Sequence, residues 1–152
     1  TILICGMLAN NETGMIQPVK QIGEIAQRHN IIFMSDATQA IGKMKTDVQE
    51  LGIDLMPLSA HKFYGPKGVG ALFIRRKKPR VVLTALIEGG GHEKNLRSGT
   101  LNVPGIVGMG KAADIALIEL EQNEKHLRQL LKILEKGILE IPNTVANGNA
   151  EN

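Results

Sequence analysis

The stretch Ser-Ala-His-Lys-Phe-Tyr-Gly-Pro-Lys-Gly-Val-Gly at residues 59–70 leads from an apolar run at residues 53–58 into a second one at residues 69–74. Short apolar runs bounded by glycine and proline are typical of buried strands. The connection between them is too short for the helical crossover that parallel neighbours need, so we expect these two strands to run antiparallel. Lys62 then lies just beyond the end of the first strand.

Lys62 has neighbours that suit a phosphate-bearing cofactor. A lysine amine that acts as a nucleophile must lose its proton, which requires a partly dry site with other charges close by. The Ser59 hydroxyl, the His61 imidazole and the glycine backbone are groups that bind phosphate. A lysine amine beside a bound phosphate is the arrangement that holds pyridoxal phosphate (PLP) as a Schiff base. This segment alone favours a solvated lysine before a turn, and its spacing does not match a P-loop.

Asp36 favours a cofactor site over a solvated lysine at position 62. It closes the apolar run at residues 31–35, which we interpret as a buried strand. Ligands of open parallel sheets bind beyond the carboxyl ends of the strands, and a carboxylate there can pair with the pyridine nitrogen of PLP. Gln39, three residues later, can donate a hydrogen bond to the ring oxygen. Asp36 taken alone is equally consistent with a helix N-cap, but together with Lys62 and the Ser59–His61 pair it indicates a PLP site.

The rest of the chain alternates predicted strands and helices. The predicted strands lie at residues 1–8, 31–35, 54–58, 69–74 and 81–86. The predicted helices lie at 18–29 and 104–139, with a short helix or turn at 37–42 and a short helix at 47–51. The strand–helix–strand order near the start indicates a βαβ unit. We therefore predict an α/β fold with a mixed, mostly parallel sheet and flanking helices.

Two polar loops supply further candidates. Asn11 follows the first strand and can contact a ring oxygen, although asparagine in a turn more often bonds its own backbone. The glycine-rich residues 89–93 precede Arg-Ser-Gly-Thr, whose Thr100 lies just ahead of a helix and can bind a phosphate. A flexible loop with a capping threonine explains those residues equally well. His92 and Glu93 have no metal-ligand spacing to another His or Cys, so we predict no metal site.

Two patterns are interpreted as structural. The basic cluster at residues 75–80 has no interleaved aromatic residues, which favours a solvated turn between strands over a nucleic-acid surface. An apolar stripe on the helix at 104–139 is expected to pack rather than to bind a partner. Its members are Ile115, Ile118, Leu127, Leu130, Leu131, Leu134 and Ile138.

The composition is that of a globular domain with a real core. The chain has 152 residues, 43% of them hydrophobic, and a net charge of +3 that implies neither a nucleic acid nor a membrane partner. No apolar run reaches the length of a membrane span. The one cysteine, Cys5, excludes an internal disulfide, is expected to be a buried core residue, and favours a cytoplasmic or organelle-matrix setting. Both ends are expected to be cut from a longer protein.

Five motifs in order carry a resemblance over nearly the whole chain. They are Asn-Asn-Glu-Thr-Gly, Asp-Ala-Thr-Gln, Ser-Ala-His-Lys-Phe-Tyr-Gly-Pro-Lys-Gly, Gly-Gly-Gly-His-Glu and Arg-Ser-Gly-Thr. With them the chain resembles the PLP-dependent cysteine desulfurases of the NifS/IscS type, within the class V aminotransferases. The resemblance implies that residues 1–142 are the central part of the large domain of a fold type I PLP-dependent transferase. Residues 143–152 would begin the connection to a missing C-terminal small domain.

The resemblance also implies a role for each candidate residue. Lys62 would hold PLP covalently and move protons, and Asp36 would pair with the pyridine nitrogen. Asn11 and Gln39 would contact the ring oxygen, and Ser59 and His61 would bind the phosphate. Thr100 would reach the phosphate of a partner subunit, so that a complete site needs a homodimer.

The implied reaction converts L-cysteine to L-alanine. A catalytic cysteine takes the sulfur as a persulfide and passes it to an iron–sulfur scaffold or another sulfur acceptor. No cysteine follows Cys5, whereas the family's nucleophile lies after the Arg-Ser-Gly-Thr motif, so we expect this polypeptide alone to have little activity. The alternatives are another class V enzyme (a small-amino-acid aminotransferase or a selenocysteine lyase) or an inactive core that serves only as a folding or association unit.

Overall fold

The computed structural model describes residues 1–147, which form one sheet flanked by helices. The strands are β1 (Leu3–Met7), β2 (Ile32–Asp36), β3 (Leu55–Ser59) and β4 (Gly70–Ile74), and the helices are α1 (Val19–Arg28), the single turn α2 (His92–Asn95) and α3 (Val103–Leu139). The strand order is β1-β2-β3-β4, with β1, β2 and β3 parallel and β4 antiparallel to β3. The predicted mixed, mostly parallel sheet and the antiparallel β3–β4 pair are both confirmed.

Helix α1 closes the βαβ unit because its apolar positions share one face. Val19, Gly23 and Ala26 are its buried residues. Gly23 is needed for this close approach, since a Cβ there would overlap the carbonyl oxygen of Leu51. Leu51 belongs to the turn before β3, which Gly52 ends with a φ of +66°. The predicted short helix at residues 47–51 is only a turn.

The core lies on one side of the sheet. Phe33 and Ile53 are fully buried, and Leu8, Val19 and Ala26 pack in the same cluster. On the opposite face the side chains of Leu3, Met7 and Leu72 are 42–46% exposed. Cys5 is exposed, so its prediction as a buried core residue is wrong. It shares the open face with Leu3 and Met7 because alternate residues of a strand point the same way.

A buried ion pair fastens the amino end of β3 to the carboxyl end of β4. The Arg75 Nε lies 2.8 Å from Asp54 Oδ1, and both side chains are less than 10% exposed. Arg75 also donates to the carbonyl oxygens of Val48 and Ile53, each at 2.8 Å, and the Phe33 amide donates to Asp54 Oδ2 at 3.0 Å. The prediction of a solvated basic turn therefore fails at Arg75, because a backbone carbonyl cluster and a carboxylate compensate its charge.

Helix α3 is one continuous helix of 37 residues, capped by Asn102, whose side chain accepts a hydrogen bond from the Gly105 amide at 3.2 Å. It contacts the rest of the chain through small residues spaced four apart. A Cβ on Gly108 would lie 3.1 Å from Pro66, Ala112 faces Gly65, and Ala116 faces Gly42. Small side chains allow this close helix packing.

The apolar stripe of α3 remains outside that contact. Ile118 is 81% exposed and Leu131 is 60% exposed, and the other five members are between 41% and 59% exposed. The prediction that this stripe packs is therefore wrong for the residues that the structure describes. The stripe lies on a helix as predicted, but its side chains are exposed within residues 1–147.

A further strand prediction is wrong. Residues 81–86 form no strand, because the chain turns back after β4 with the Val81 amide donating to the Arg75 carbonyl oxygen at 2.9 Å.

The predicted domain boundary after residue 142 lies just after the end of α3, and residues 148–152 lie outside the described part. Among the described residues, no helix combines the length and the apolar character that crossing a bilayer requires.

Candidate functional site

The carboxyl ends of β2 and β3 lie side by side and bring two predicted site residues to one face. Met34 pairs with Leu55 in the parallel register, and the Ala37 amide donates to the Pro57 carbonyl oxygen at 3.3 Å. Asp36 is two residues after Met34, and Ser59 is four after Leu55. Even spacings keep side chains on one face of a sheet, so Asp36 and Ser59 project from the same face at the same edge.

Asp36 is exposed and is tied to its own turn by one oxygen. Its Oδ1 accepts a hydrogen bond from the Thr38 amide at 2.8 Å. This bond is the capping interaction that the sequence left open as an alternative. Within residues 1–147, Oδ2 accepts no hydrogen bond, so the cap still leaves one carboxylate oxygen free for a ligand. Gln39 is half-buried on the same turn, where its Oε1 accepts from Lys43 Nζ at 3.1 Å.

Ser59 and His61 form a hydrogen-bonded pair at the end of β3. The distance between Ser59 Oγ and His61 Nδ1 is 2.9 Å, and His61 is exposed. If the serine donates, the imidazole keeps an Nε2–H free to donate, and if the imidazole donates, the serine keeps its own proton. Either tautomer therefore leaves one donor available to an anionic group.

Lys62 is held on a short 3₁₀ turn, Ala60–Phe63, that follows β3 directly. The turn is fixed by its buried ends, because Ala60 is 0% and Phe63 is 2% exposed. The Gly65 amide donates to the Ala60 carbonyl oxygen at 2.9 Å and closes the turn. Lys62 itself is half-buried and forms no ion pair with any residue of the described part. A lysine on a rigid backbone with an uncommitted amine is suited to covalent chemistry.

Asn11 lies at the corresponding end of β1. The Leu8 amide donates to the Asp36 carbonyl oxygen at 2.8 Å, which places the loop after β1 beside the end of β2. The turn-forming role in this loop belongs to Asn10, whose Oδ1 accepts from the amides of Glu12 and Thr13 at 2.8 and 2.9 Å. Asn11 is exposed. The sequence analysis missed Asn10, although an asparagine followed by a threonine three residues later is a signal for this turn.

Thr100 is on a different segment from the other six candidates. It is exposed in the loop that leads into α3, two residues before the cap Asn102. The other six lie at or after the carboxyl ends of β1, β2 and β3. A cavity of about 320 Å³ lies at the opposite edge of the sheet, near the amino ends of β2 and β3, where it is lined by the buried Asp54 and the exposed Lys78. Across the described residues, no three His, Cys, Asp or Glu side chains group as metal ligands.

Comparisons with known proteins agree on one family. Residues 1–152 match the aminotransferase class-V family. The chain is 52% identical over 152 residues to the cysteine desulfurase IscS of Anaeromyxobacter dehalogenans (strain 2CP-C), covering 99% of this chain and 37% of the relative. It is 50% identical over 151 residues to the mitochondrial cysteine desulfurase of Eremothecium gossypii, covering 99% of this chain and 31% of that protein.

A solved structure shows the same fold. The NifS-like protein from Rickettsia africae ESF-5 superimposes with a TM-score of 0.91 at 34% identity, over 97% of this chain and 40% of that one. The chain thus spans 31–40% of the length of these relatives.

Proposed function

The chain belongs to the class-V aminotransferase family, and from that premise we propose that it is the cofactor-binding part of a PLP-dependent cysteine desulfurase. The observation that carries the proposal is the position of Asp36, the Ser59–His61 pair and Lys62 at one edge of the sheet. The names of the relatives support the substrate, since two of them are cysteine desulfurases at 50–52% identity.

The groups at this edge fit PLP by their chemistry. The cofactor has a cationic ring nitrogen, a ring oxygen, an aldehyde and a phosphate, and the edge offers a carboxylate, amides, an amine and a hydroxyl–imidazole pair. Asp36 Oδ2 would hold the ring nitrogen, while the bond from the Thr38 amide to Oδ1 fixes the carboxylate orientation. When bound, PLP supplies an electron sink that weakens the bonds at the substrate α-carbon.

The other residues have roles that follow from their positions. The amine of Lys62 would bond to the cofactor aldehyde and, once displaced by substrate, would carry protons as base and acid. The Ser59–His61 pair would donate to the phosphate through the one proton that their mutual hydrogen bond leaves free. Asn11 and Gln39 would contact the ring oxygen, and for Gln39 this requires its amide nitrogen, because its Oε1 accepts from Lys43.

The substrate we propose is L-cysteine, with L-alanine as product and the sulfur passed to a cysteine thiolate. Cys5 is a poor candidate for that thiolate, because it lies inside β1 and pairs in register with Met34 of β2. A strand interior cannot move toward a substrate as a loop can. We therefore place the sulfur-accepting cysteine in a part of the protein outside this chain.

The proposal extends to partners and setting. Thr100 is exposed and is on a separate segment, which is consistent with a contact to the phosphate bound by a second subunit of a homodimer. An iron–sulfur scaffold or another sulfur-acceptor protein would take the persulfide sulfur. Relatives from a bacterium and from mitochondria support a cytoplasmic or organelle-matrix setting.

Absorbance with added PLP tests the cofactor site. We expect a visible band for the wild-type chain that is absent in Lys62→Ala and retained in Lys67→Ala, a control at an exposed lysine five residues away. A band of equal strength in Lys62→Ala would contradict the assignment of the covalent lysine.

Product analysis on the whole protein tests the reaction. With a dithiol reductant added to release the persulfide sulfur as sulfide, equal amounts of alanine and sulfide from L-cysteine are expected. Transfer of the amino group to a 2-oxo acid without sulfide would instead identify an aminotransferase of the same family, and release of selenide from selenocysteine with no turnover of cysteine would identify a lyase.

A further inference from the structure

The loop before Thr100 is a closed, self-packed unit. Ile87 and Arg97 form a parallel bridge at its base, and the Ser98 amide donates to the Ile87 carbonyl oxygen at 3.1 Å. Ser98 is 6% exposed, and its Oγ accepts from the Gly91 amide at 3.2 Å. A loop whose ends are joined in this way has a fixed path. The segment that presents Thr100 therefore starts from a rigid base.

His92 and Arg97 together hold the residue immediately before Thr100. The Gly99 amide donates to His92 Nδ1 at 3.3 Å, and Arg97 Nη1 donates to the Gly99 carbonyl oxygen at 3.3 Å. That carbonyl belongs to the peptide that joins Gly99 to Thr100. Gly99 has a φ of +114°, a conformation that favours glycine, so the chain changes direction at this point.

The ring of His92 is seated against the glycine-rich part of the loop. A Cβ on Gly90 would lie 3.0 Å from His92 Cε1, and His92 is itself half-buried. Gly91 has a φ of +73° and a Cβ there would lie 2.6 Å from Asn95 Oδ1. Gly90 thus leaves room for the imidazole, whose Nδ1 accepts a hydrogen bond from the Gly99 amide.

We propose that His92 is a positioning residue that orients Thr100 toward a phosphate group. The inference rests on the proposed function, which assigns Thr100 to the phosphate of PLP. His92 acts through the Gly99 amide and touches neither cofactor nor substrate. A ring that only filled space would be replaceable by any side chain of similar size, whereas a positioning ring must supply a hydrogen-bond acceptor.

Two substitutions separate these roles. His92→Leu fills the space without an acceptor, and His92→Asn restores an acceptor oxygen near the place of Nδ1. Glu93→Gln is a matched control on the neighbouring exposed residue. Amide hydrogen exchange at Gly99, measured without cofactor, is expected to be about tenfold faster in His92→Leu and close to wild type in His92→Asn and Glu93→Gln, as loss of one hydrogen bond predicts.

Binding of PLP and of pyridoxal by the whole protein is the deciding measurement. His92→Leu is expected to weaken PLP about five- to tenfold and to leave pyridoxal, which has no phosphate, unchanged. His92→Asn should restore the PLP affinity. Equal affinity of wild type and His92→Leu for PLP, or equal weakening of PLP and pyridoxal, would overturn the role of His92 while leaving the proposed function standing. Failure of the wild-type protein to bind either compound would overturn both.

Discussion

The sheet layer at residues 3–75 and the helix α3 both carry large apolar side chains, yet among the described residues only the sheet layer buries some of its own. Phe33 and Ile53 are 0% exposed, whereas Ile118 and Leu131 on α3 are 81% and 60% exposed. Helix α3 is joined to the sheet layer through glycine and alanine near its start. The difference shows that a periodic apolar stripe identifies a helix face without identifying what covers it.

This comparison predicts where the stability of the described chain resides. Burial of an apolar side chain stabilises in proportion to the area removed from water, so the exposed stripe of α3 contributes little within this chain. The sheet layer combines full burial with an internally compensated ion pair. Four sets of substitutions test this division, from the largest expected effect to the smallest.

Truncation of Phe33 should have the largest effect. Phe33→Ala removes a fully buried ring and is expected to lower the free energy of unfolding by about 3–5 kcal/mol. Leu131→Ala, at a side chain that is 60% exposed, is expected to stay within about 0.5 kcal/mol. Urea unfolding of both variants measures the difference. Comparable losses of unfolding free energy in the two variants would contradict this difference between sheet layer and helix, because they would mean that the α3 stripe is covered.

Removal of the buried guanidinium should come next. Arg75→Met leaves the Asp54 carboxylate buried with only the Phe33 amide as partner, at an expected cost of about 3 kcal/mol. The double variant Asp54→Leu with Arg75→Met should lose less, since no charge is then buried alone. Arg76→Met is the control at an exposed neighbour. A double variant less stable than Arg75→Met would contradict this view of the pair.

Two glycines on α3 test its contact with the sheet layer. Gly110→Ala meets nothing within 4 Å and should stabilise by about 1 kcal/mol through helix propensity. Gly108→Ala has the same propensity gain, but its Cβ would lie 3.1 Å from Pro66, so crowding of about 1–3 kcal/mol should offset it. Thermal unfolding compares the two. Equal gains would show that the helix does not pack on Pro66.

The turn before β3 gives the smallest effect, and it depends on pH. Hydrogen bonds from the Gln49 and Glu50 amides hold the pKa of the Asp47 carboxyl below its ordinary value. A lowered folded-state pKa contributes stability above the unfolded value of about 3.9, and that stability is lost as pH falls through the folded value.

Asp47→Ala should therefore lower Tm by about 2–4 °C at neutral pH, and the difference should shrink below about pH 4. Asp47→Asn keeps an acceptor oxygen and no longer titrates, so it serves as the control. A gap between wild type and Asp47→Ala that stays constant from pH 7 to pH 2 would exclude the charged cap.

The sequence predicted the sheet well because local signals and topology agree there. The apolar runs, the βαβ order and the short connection through residues 59–70 were sufficient for the strand directions. The predicted strand at residues 81–86 failed, since β-branched composition does not supply a partner strand. Arg75 was misjudged because its neighbours in the cluster are exposed, and only the fold reveals the carbonyl oxygens around it.

For the candidate site, the sequence predicted positions better than contacts. Asp36 and Ser59 are the last residues of β2 and β3, and His61 and Lys62 follow β3 directly, close to where the pattern placed them. It left open whether Asp36 caps its own turn, and it did not predict that Gln39 accepts from Lys43 or that Asn10 rather than Asn11 shapes the first loop. These are choices among nearby hydrogen-bond partners, which depend on side-chain geometry. The roles of all seven residues toward a cofactor stay predictions.

The ion pair between Arg75 and Asp54 has a consequence for the hairpin that presents Lys62. Asp54 precedes β3 and Arg75 follows β4, so the pair clamps the open end of that hairpin, about 17 Å of strand away from the lysine. A slip of one residue between β3 and β4 would separate the clamped charges and turn every side chain to the wrong face. The ion pair therefore fixes the register of β3 and β4, and with it the position of Lys62 at the other end of the hairpin.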